Sequence, residues 1–76
     1  MMDNTPFYEN LANAIVAQAA KDYLRALKQL KKYPNYEDAL ARKREIERFF
    51  RSEWYSHLTK VNADYLISKL EMAVSA

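Results

Sequence analysis

The chain has 76 residues, 50% of them hydrophobic and 29% charged, with 12 basic and 10 acidic side chains for a formal charge of +2 and neither glycine nor cysteine. At average usage a chain of this length carries roughly five glycines, so their absence excludes a phosphate-cradling loop or a dinucleotide fingerprint and argues against folds built on positive-φ turns. Without cysteine there is no disulfide framework, thiol nucleophile or thiolate metal site, which leans the redox compartment toward the cytoplasm.

Thr5-Pro6 reads as the first helix start, Thr5 as the cap and Pro6 where its missing N–H costs nothing. The helical pattern runs over 6–32. Tyr8, Leu11, Ile15, Ala19, Tyr23, Leu27 and Leu30 recur at steps of three or four and form one apolar stripe. Its middle is small, since Ala12, Ala14, Ala17, Ala19, Ala20 and Ala26 fill the neighbourhood, so a second helix can approach closely. Tyr33-Pro34-Asn35 ends the helix through Pro34. Asn35 is the expected N-cap of the next helix, over 36–51, with Glu37 and Asp38 complementing its positive start. The apolar set there is Ala39, Leu40, Ile46, Phe49 and Phe50, around a charged centre from Arg42 to Glu45. Either Ser52 caps a short separate helix over 53–58 or the second helix continues directly through it, and Asn62 caps a last helix over 63–74, whose apolar side is Tyr65, Leu66, Leu70, Ala73 and Val74.

The predicted fold is all-α, a single domain over residues 1–76: a small antiparallel three-helix bundle with an additional short helix, joined by loops of two to four residues. Such a chain buries roughly 60% of its unfolded surface and gains about 3–5 kcal/mol from one core, so self-association is an expected reinforcement. Without glycine, the helices end with no left-handed cap, which leaves their last carbonyls to water, lysine or a partner. No stretch approaches the roughly 18 apolar residues of a membrane span, and Met1 to Thr5 lacks the start of a secretory signal.

Lys21, Arg25, Lys28 and Lys32 share one helix face about 17 Å long. Lys31 lies beside them and Asp22 alone offsets them, an excess of +4 over this segment. This is either an electrostatic strip for phosphates or acidic protein, or a solvated face with lysines near a helix C-terminus. Arg44, Arg48 and Arg51 form a second strip, and arginine offers bidentate contacts that lysine does not. Here Glu45, Glu47 and Glu53 are interleaved, and Glu47 is within reach of Lys43, Arg44 and Arg51. Both strips on one side would point to an anionic ligand.

Phe49, Phe50, Trp54 and Tyr55 are the densest aromatic cluster. Either Phe50 and Trp54 pack across to Ile15, Leu66 and Leu70 as core, or part of the cluster is a contact patch of the Trp, Tyr and Arg type. The hydroxyls of Tyr23, Tyr33, Tyr36 and Tyr65 suit half-exposed positions. His57 is the lone histidine, and adjacent Tyr55 and Ser56 face away from it on a helix. No metal, cofactor or catalytic constellation is expected. Glu37 with Asp38 is helix-start electrostatics, and Glu45 and Glu47 fall on different faces.

Two stretches, Ala14 to Tyr23 with Ala26-Leu27-Lys28, and Ile46 to Tyr55 with Leu58-Thr59 and Tyr65-Leu66-Ile67, resemble small helical proteins encoded by phages and prophages of Gram-positive bacteria. The segment Arg48-Phe49-Phe50-Arg51-Ser52-Glu53-Trp54 is the most specific part of the likeness. In that group the connector corresponding to Lys60 to Asp64 carries an acidic residue and a glycine, and this chain lacks the glycine. The resemblance implies a phage or mobile-element origin and a cytoplasmic location in a bacterial host. It also implies an accessory role of the kind filled by inhibitors of CRISPR nucleases, which cover a working surface of a larger complex.

The resulting expectation is a non-catalytic protein that binds and inhibits or modulates a larger bacterial protein or nucleoprotein complex, such as a CRISPR–Cas or other defence nuclease. Its expected contact residues are Arg48, Phe49, Arg51, Trp54 and Tyr55. One alternative is a small nucleic-acid-binding protein using Lys21, Arg25, Lys28, Lys32, Arg44 and Arg48. Another is a self-assembling homo-oligomeric module.

Overall fold

A computed structural model describes residues 5–75, with side chains described from Phe7 onward. These residues form four helices, α1 Thr5–Lys32, α2 Glu37–Phe50, α3 Glu53–Leu58 and α4 Ala63–Ser75. The all-α expectation therefore stands, with bounds within a residue of those read from the sequence. The Thr5 and Pro6 side chains and the start of the chain lie outside what is described. No described residue has a positive φ, so each junction is made by other means.

The first junction differs from expectation. Tyr36 N–H donates to the Tyr33 carbonyl at 3.1 Å, closing a turn with Pro34 at its second position, where the fixed φ of proline fits. Asn35 is used up inside that turn. The N-cap falls on Tyr36, at φ −70° and ψ 104°, with no side-chain cap bond. Glu37 and Asp38 in the first turn supply the electrostatic complement instead.

The other caps follow the sequence. Ser52 Oγ accepts from Tyr55 N–H at 3.1 Å and donates to the Phe49 carbonyl at 2.6 Å. One hydroxyl thus serves both the open end of α2 and the start of α3. Asn62 Oδ1 accepts from Tyr65 N–H at 3.0 Å at the start of α4. At the far end, Lys31 Nζ donates to the Val74 carbonyl at 2.8 Å, so a lysine covers a helix end that no glycine closes.

Helix α1 is the one against which α2, α3 and α4 all pack. Helix α2 runs antiparallel to it: Gln29 accepts from Arg42, Tyr23 donates to Glu47 at 2.6 Å, and Ile15 and Ala19 share a cleft with Phe49. Helix α4 runs in the direction of α1, from the Arg51–Asp64 contact at 2.6 Å to the Lys31–Val74 contact. The core is Tyr23, Phe50, Tyr55 and Ile67, with Ala26 and Ala39 fully buried as well. The rings meet edge to face: Tyr23 and Phe50 lie 5.7 Å apart at 70°, and Phe50 and Tyr55 5.7 Å apart at 73°, the arrangement that the ring quadrupole favours.

Two expectations about burial are corrected. Tyr23 was expected at a half-exposed position for the sake of its hydroxyl, yet it is fully buried, because Glu47 brings an acceptor to the edge of the core. Tyr33, Tyr36 and Tyr65 are exposed. The apolar stripe of α1 does not stay inside along its length either: Tyr8 is 63% and Leu11 50% exposed. Helix lengths explain this. With 28 residues α1 is about 42 Å long, whereas the 14 residues of α2 span about 21 Å. The first turns of α1 project past the end of α2, and the molecule reaches 53 Å in its longest dimension.

Candidate binding surfaces

The α2–α3 corner holds most of the aromatic and arginine residues that the sequence singles out. Phe50 turns into the core, and Phe49 is half-buried above it. Trp54 is 57% exposed, against the reading in which it packs across to Leu66 and Leu70. It is nonetheless fixed in place, edge-on to Phe49 at 5.5 Å and 77°, on a helix whose start Ser52 caps. Arg48 is exposed in the last turn of α2. Arg51 is exposed too, and contacts Asp64 on α4, a solvated pair that adds little stability.

Tyr55 does not belong to this surface. It is 3% exposed, and its hydroxyl donates to the Val61 carbonyl at 2.9 Å. The cause is the phase of α3: Trp54 and Tyr55 are consecutive and so about 100° apart around the helix, and a cap at Ser52 that turns Tyr55 onto Phe50 turns Trp54 outward. Burial holds the Tyr55 phenol above its ordinary range.

Beneath Trp54 an apolar cleft of about 390 Å³ is walled by Ile15, Ala19, Ile46, Phe49 and Trp54, with Asp22 and Glu45 at its rim. Its α1 wall continues into the projecting turns: Tyr8, Leu11 and Ile15 are on the same side of the helix, at steps of three and four. Phe7, 65% exposed, meets Tyr8 edge to face at 5.7 Å. This face is absent from the residues that the sequence nominated for binding. Its signal was available, because a helix over 6–32 is far longer than one over 36–51.

The two basic strips point in different directions. Lys21, Arg25, Lys28 and Lys32 are all exposed, on the side of α1 opposite Tyr23 and Ala26, given about 100° per residue. None of the four makes an ion pair or side-chain hydrogen bond among the described residues; Lys32 lies over the Tyr33 ring at 5.6 Å. Asp22 accepts from Gln18, one turn earlier on α1, at 3.0 Å, and lies in the seam toward α2 beside Arg25, so of the four it borders Arg25 there. Arg44 and Arg48 are on the outward side of α2, opposite Ile46 and Phe50. The seam between α1 and α2 mixes Asp22 and Glu45 with Arg25 and Arg42, which interrupts a continuous positive face.

Glu47 ties the strip of α2 to the core. It accepts from Tyr23 at 2.6 Å and from Lys43 at 2.9 Å. Its partial burial pushes its pKa up, but the two hydrogen bonds and the charges of Lys43 and Arg51 outweigh this and hold the carboxyl below its ordinary value. The Tyr23 phenol is pushed far up, first by burial and then by the Glu47 carboxylate. This is a structural network between helices. His57, in the last turn of α3, is exposed.

No helix among the described residues is long and apolar enough to cross a membrane. No protein-family model matches the chain, and no curated protein or solved structure matches it either.

Proposed function

We propose that this chain is a non-catalytic accessory protein that works by docking on a larger protein, with Trp54 as the anchor and Arg48, Arg51 and Phe49 around it. The phage resemblance of the segment Arg48 to Trp54 suggests a bacterial defence nuclease or a related host complex as the target. The observation that carries this reading is the state of Trp54: more than half exposed, yet held edge-on to Phe49. A large ring fixed in its bound position loses little freedom on association, and Trp and Arg are the residues in which binding energy concentrates.

The test is capture of partners from bacterial lysate, read by mass spectrometry, together with inhibition of the captured nuclease. Trp54→Ala with Arg48→Ala removes two exposed side chains and is expected to keep helicity and thermal midpoint. Loss of a hot spot costs about 2 kcal/mol or more, roughly a 30-fold drop in affinity. Undiminished capture and inhibition by the double variant would sink the reading.

A second reading is favoured by the unpaired, outward strip Lys21, Arg25, Lys28 and Lys32, which supports contact with nucleic-acid phosphates. Affinity for duplex or single-stranded nucleic acid is then expected to fall on a log–log line with salt, with a slope near −0.7 to −0.9 per neutralised phosphate. No detectable binding at about 50 mM salt, the low end of the range in which such contacts are strong, would remove it.

A further inference from the structure

We infer that the chain forms a symmetric antiparallel dimer through the projecting N-terminal half of α1, with the second copy's Phe7 and Tyr8 packed against the Ile15–Trp54 end of the cleft. This goes beyond the docking reading above and shares only Trp54 with it, so the second copy and a larger protein compete for that ring.

The starting point is a helix segment with no cover. Tyr8, Leu11 and Ile15 continue the line along which α1 is covered by α2 further on, and α2 ends level with Ile15 and Ala19. The projecting turns extend a helix that is nucleated and packed further along, so what lacks a partner there is the apolar side, Tyr8 and Leu11, both left exposed. What fits there is another helix running antiparallel to α1, as α2 does.

The N-terminal half of α1 itself meets this description. A two-fold axis between Leu11 and Ala12 sets Leu11 beside the partner's Ala12 and Tyr8 beside the partner's Ile15. Large faces small at the centre, and Ala12 and Ala14 let the backbones come close. In this register the partner's α1 continues the course of α2, and its Phe7 and Tyr8 reach the Trp54 end of the cleft.

Charge permits this pairing. Glu9 is the single charged residue from Phe7 to Ala20, and at about 100° per residue it lies well away from the Tyr8–Leu11–Ile15 line. The like-charge repulsion that separates identical surfaces is therefore absent from the contact. The basic strips, which do repel their own copies, are further along α1 and on the outside of α2.

The area is also adequate. Phe7, Tyr8 and Trp54 each carry about 150–250 Å² of side-chain surface and are more than half exposed. With half of Leu11 they offer roughly 400 Å² per copy, before Ile15 and the alanines are counted. Two copies approach the roughly 1,000 Å² at which a specific interface begins. A patch of this size falls in the range of the largest apolar patch on a monomer, about 300–600 Å², which is often functional.

Sedimentation velocity of the chain across micromolar to high micromolar concentration tests this. The expected result is a monomer–dimer equilibrium that Leu11→Arg shifts to monomer, by at least tenfold in dissociation constant, with far-UV circular dichroism retained over α2–α4. Since the chain has no cysteine, Leu11→Cys provides the register. Close to the two-fold axis, it is expected to oxidise to a covalent dimer, whereas Lys28→Cys on the outer face does not. A parent that sediments as monomer at high micromolar concentration overturns the dimer and leaves the face to a different occupant. A dimer that persists in Leu11→Arg, or cross-linking at Lys28→Cys equal to that at Leu11→Cys, overturns this interface. Lysate capture by Leu11→Arg reads the Trp54 corner separately, so failure of one proposal is distinguishable from failure of the other.

Discussion

Phe50→Ala is expected to abolish cooperative unfolding of the chain. Phe50 is 1% exposed and joins two other helices through ring contacts, with Tyr23 on α1 and Tyr55 on α3, besides its neighbour Phe49. Truncating a buried phenylalanine costs about 3–5 kcal/mol, as much as a core of this size supplies, about 3–5 kcal/mol. No disulfide or second core is present to absorb the loss. Thermal melts by circular dichroism should show a broad, low-amplitude transition at neutral pH, against a sigmoidal one for the parent. Phe50→Leu keeps most of the volume and should retain a transition at lower temperature. A sharp, parent-like melt for Phe50→Ala would mean that Tyr23, Tyr55 and Ile67 close the gap on their own.

The second large effect is expected from the Tyr23–Glu47 hydrogen bond, in both its magnitude and its pH dependence. Tyr23→Phe removes a bond to a charged, partly buried acceptor, for which about 1.5–3 kcal/mol is typical, a large share of the total. The pH dependence has two limbs of opposite origin. The Glu47 pKa is lower in the folded chain than its ordinary value of 4.5, so its contribution is complete above that value and is lost as pH falls below it through the depressed folded value. The Tyr23 phenol is raised above its ordinary 10.0, so its contribution is complete below that pH and is lost as pH rises beyond it. Stability should therefore be flat between about pH 6 and 9 and fall on either side. Glu47→Gln, which can still accept from Tyr23, should flatten the acid limb. Tyr23→Phe should flatten the alkaline limb, leaving the part due to Tyr55. Denaturant midpoints measured at intervals from acid to alkaline pH check both, and an acid limb unchanged in Glu47→Gln would place the responsible carboxylate elsewhere.

How much of this was legible beforehand differs from residue to residue. Asn62 was readable as a cap because a side-chain oxygen that accepts from the amide three residues on is a local matter, decided within one turn; Ser52 was readable only as a candidate, with continuation of the second helix left open. Asn35 was misread as a cap because two local signals compete there, and the turn that Pro34 closes takes Asn35 before the helix begins. The lysine covering the end of α4 was foreseeable as a kind of solution, since a chain without glycine has few others. That Lys31 in particular does this depends on α4 lying along α1.

Site residues divide in the same way. Phe49, Phe50, Trp54 and Tyr55 stood out as the densest aromatic cluster, with a core and a contact-patch reading both open, and the structure divides them: Phe50 and Tyr55 are buried and Trp54 is exposed. Which ring stays out follows from the phase of α3, and that phase is set by where Tyr55 finds Phe50 and the Val61 carbonyl. The basic strips were readable as strips, because periodicity places residues on a face of their own helix. Whether the two faces coincide depends on how α1 and α2 are rotated against each other, and burial of Tyr23, Ala26, Ala39 and Phe50 turns both strips outward on separate sides.

Composition and periodicity by themselves determined that this chain is helical, where α1 and α4 start and stop and where α2 starts to within a residue, and that no glycine caps a helix. These are properties of single turns, governed by interactions three or four residues apart. Only the tertiary structure decided that Tyr23 is sealed under Glu47, that Tyr55 is core and Trp54 surface, and that Tyr8 and Leu11 lie beyond the end of α2. These depend on contacts between residues distant in sequence and on the difference in length between two packed helices, and no local pattern encodes which part of a long apolar stripe will find a partner.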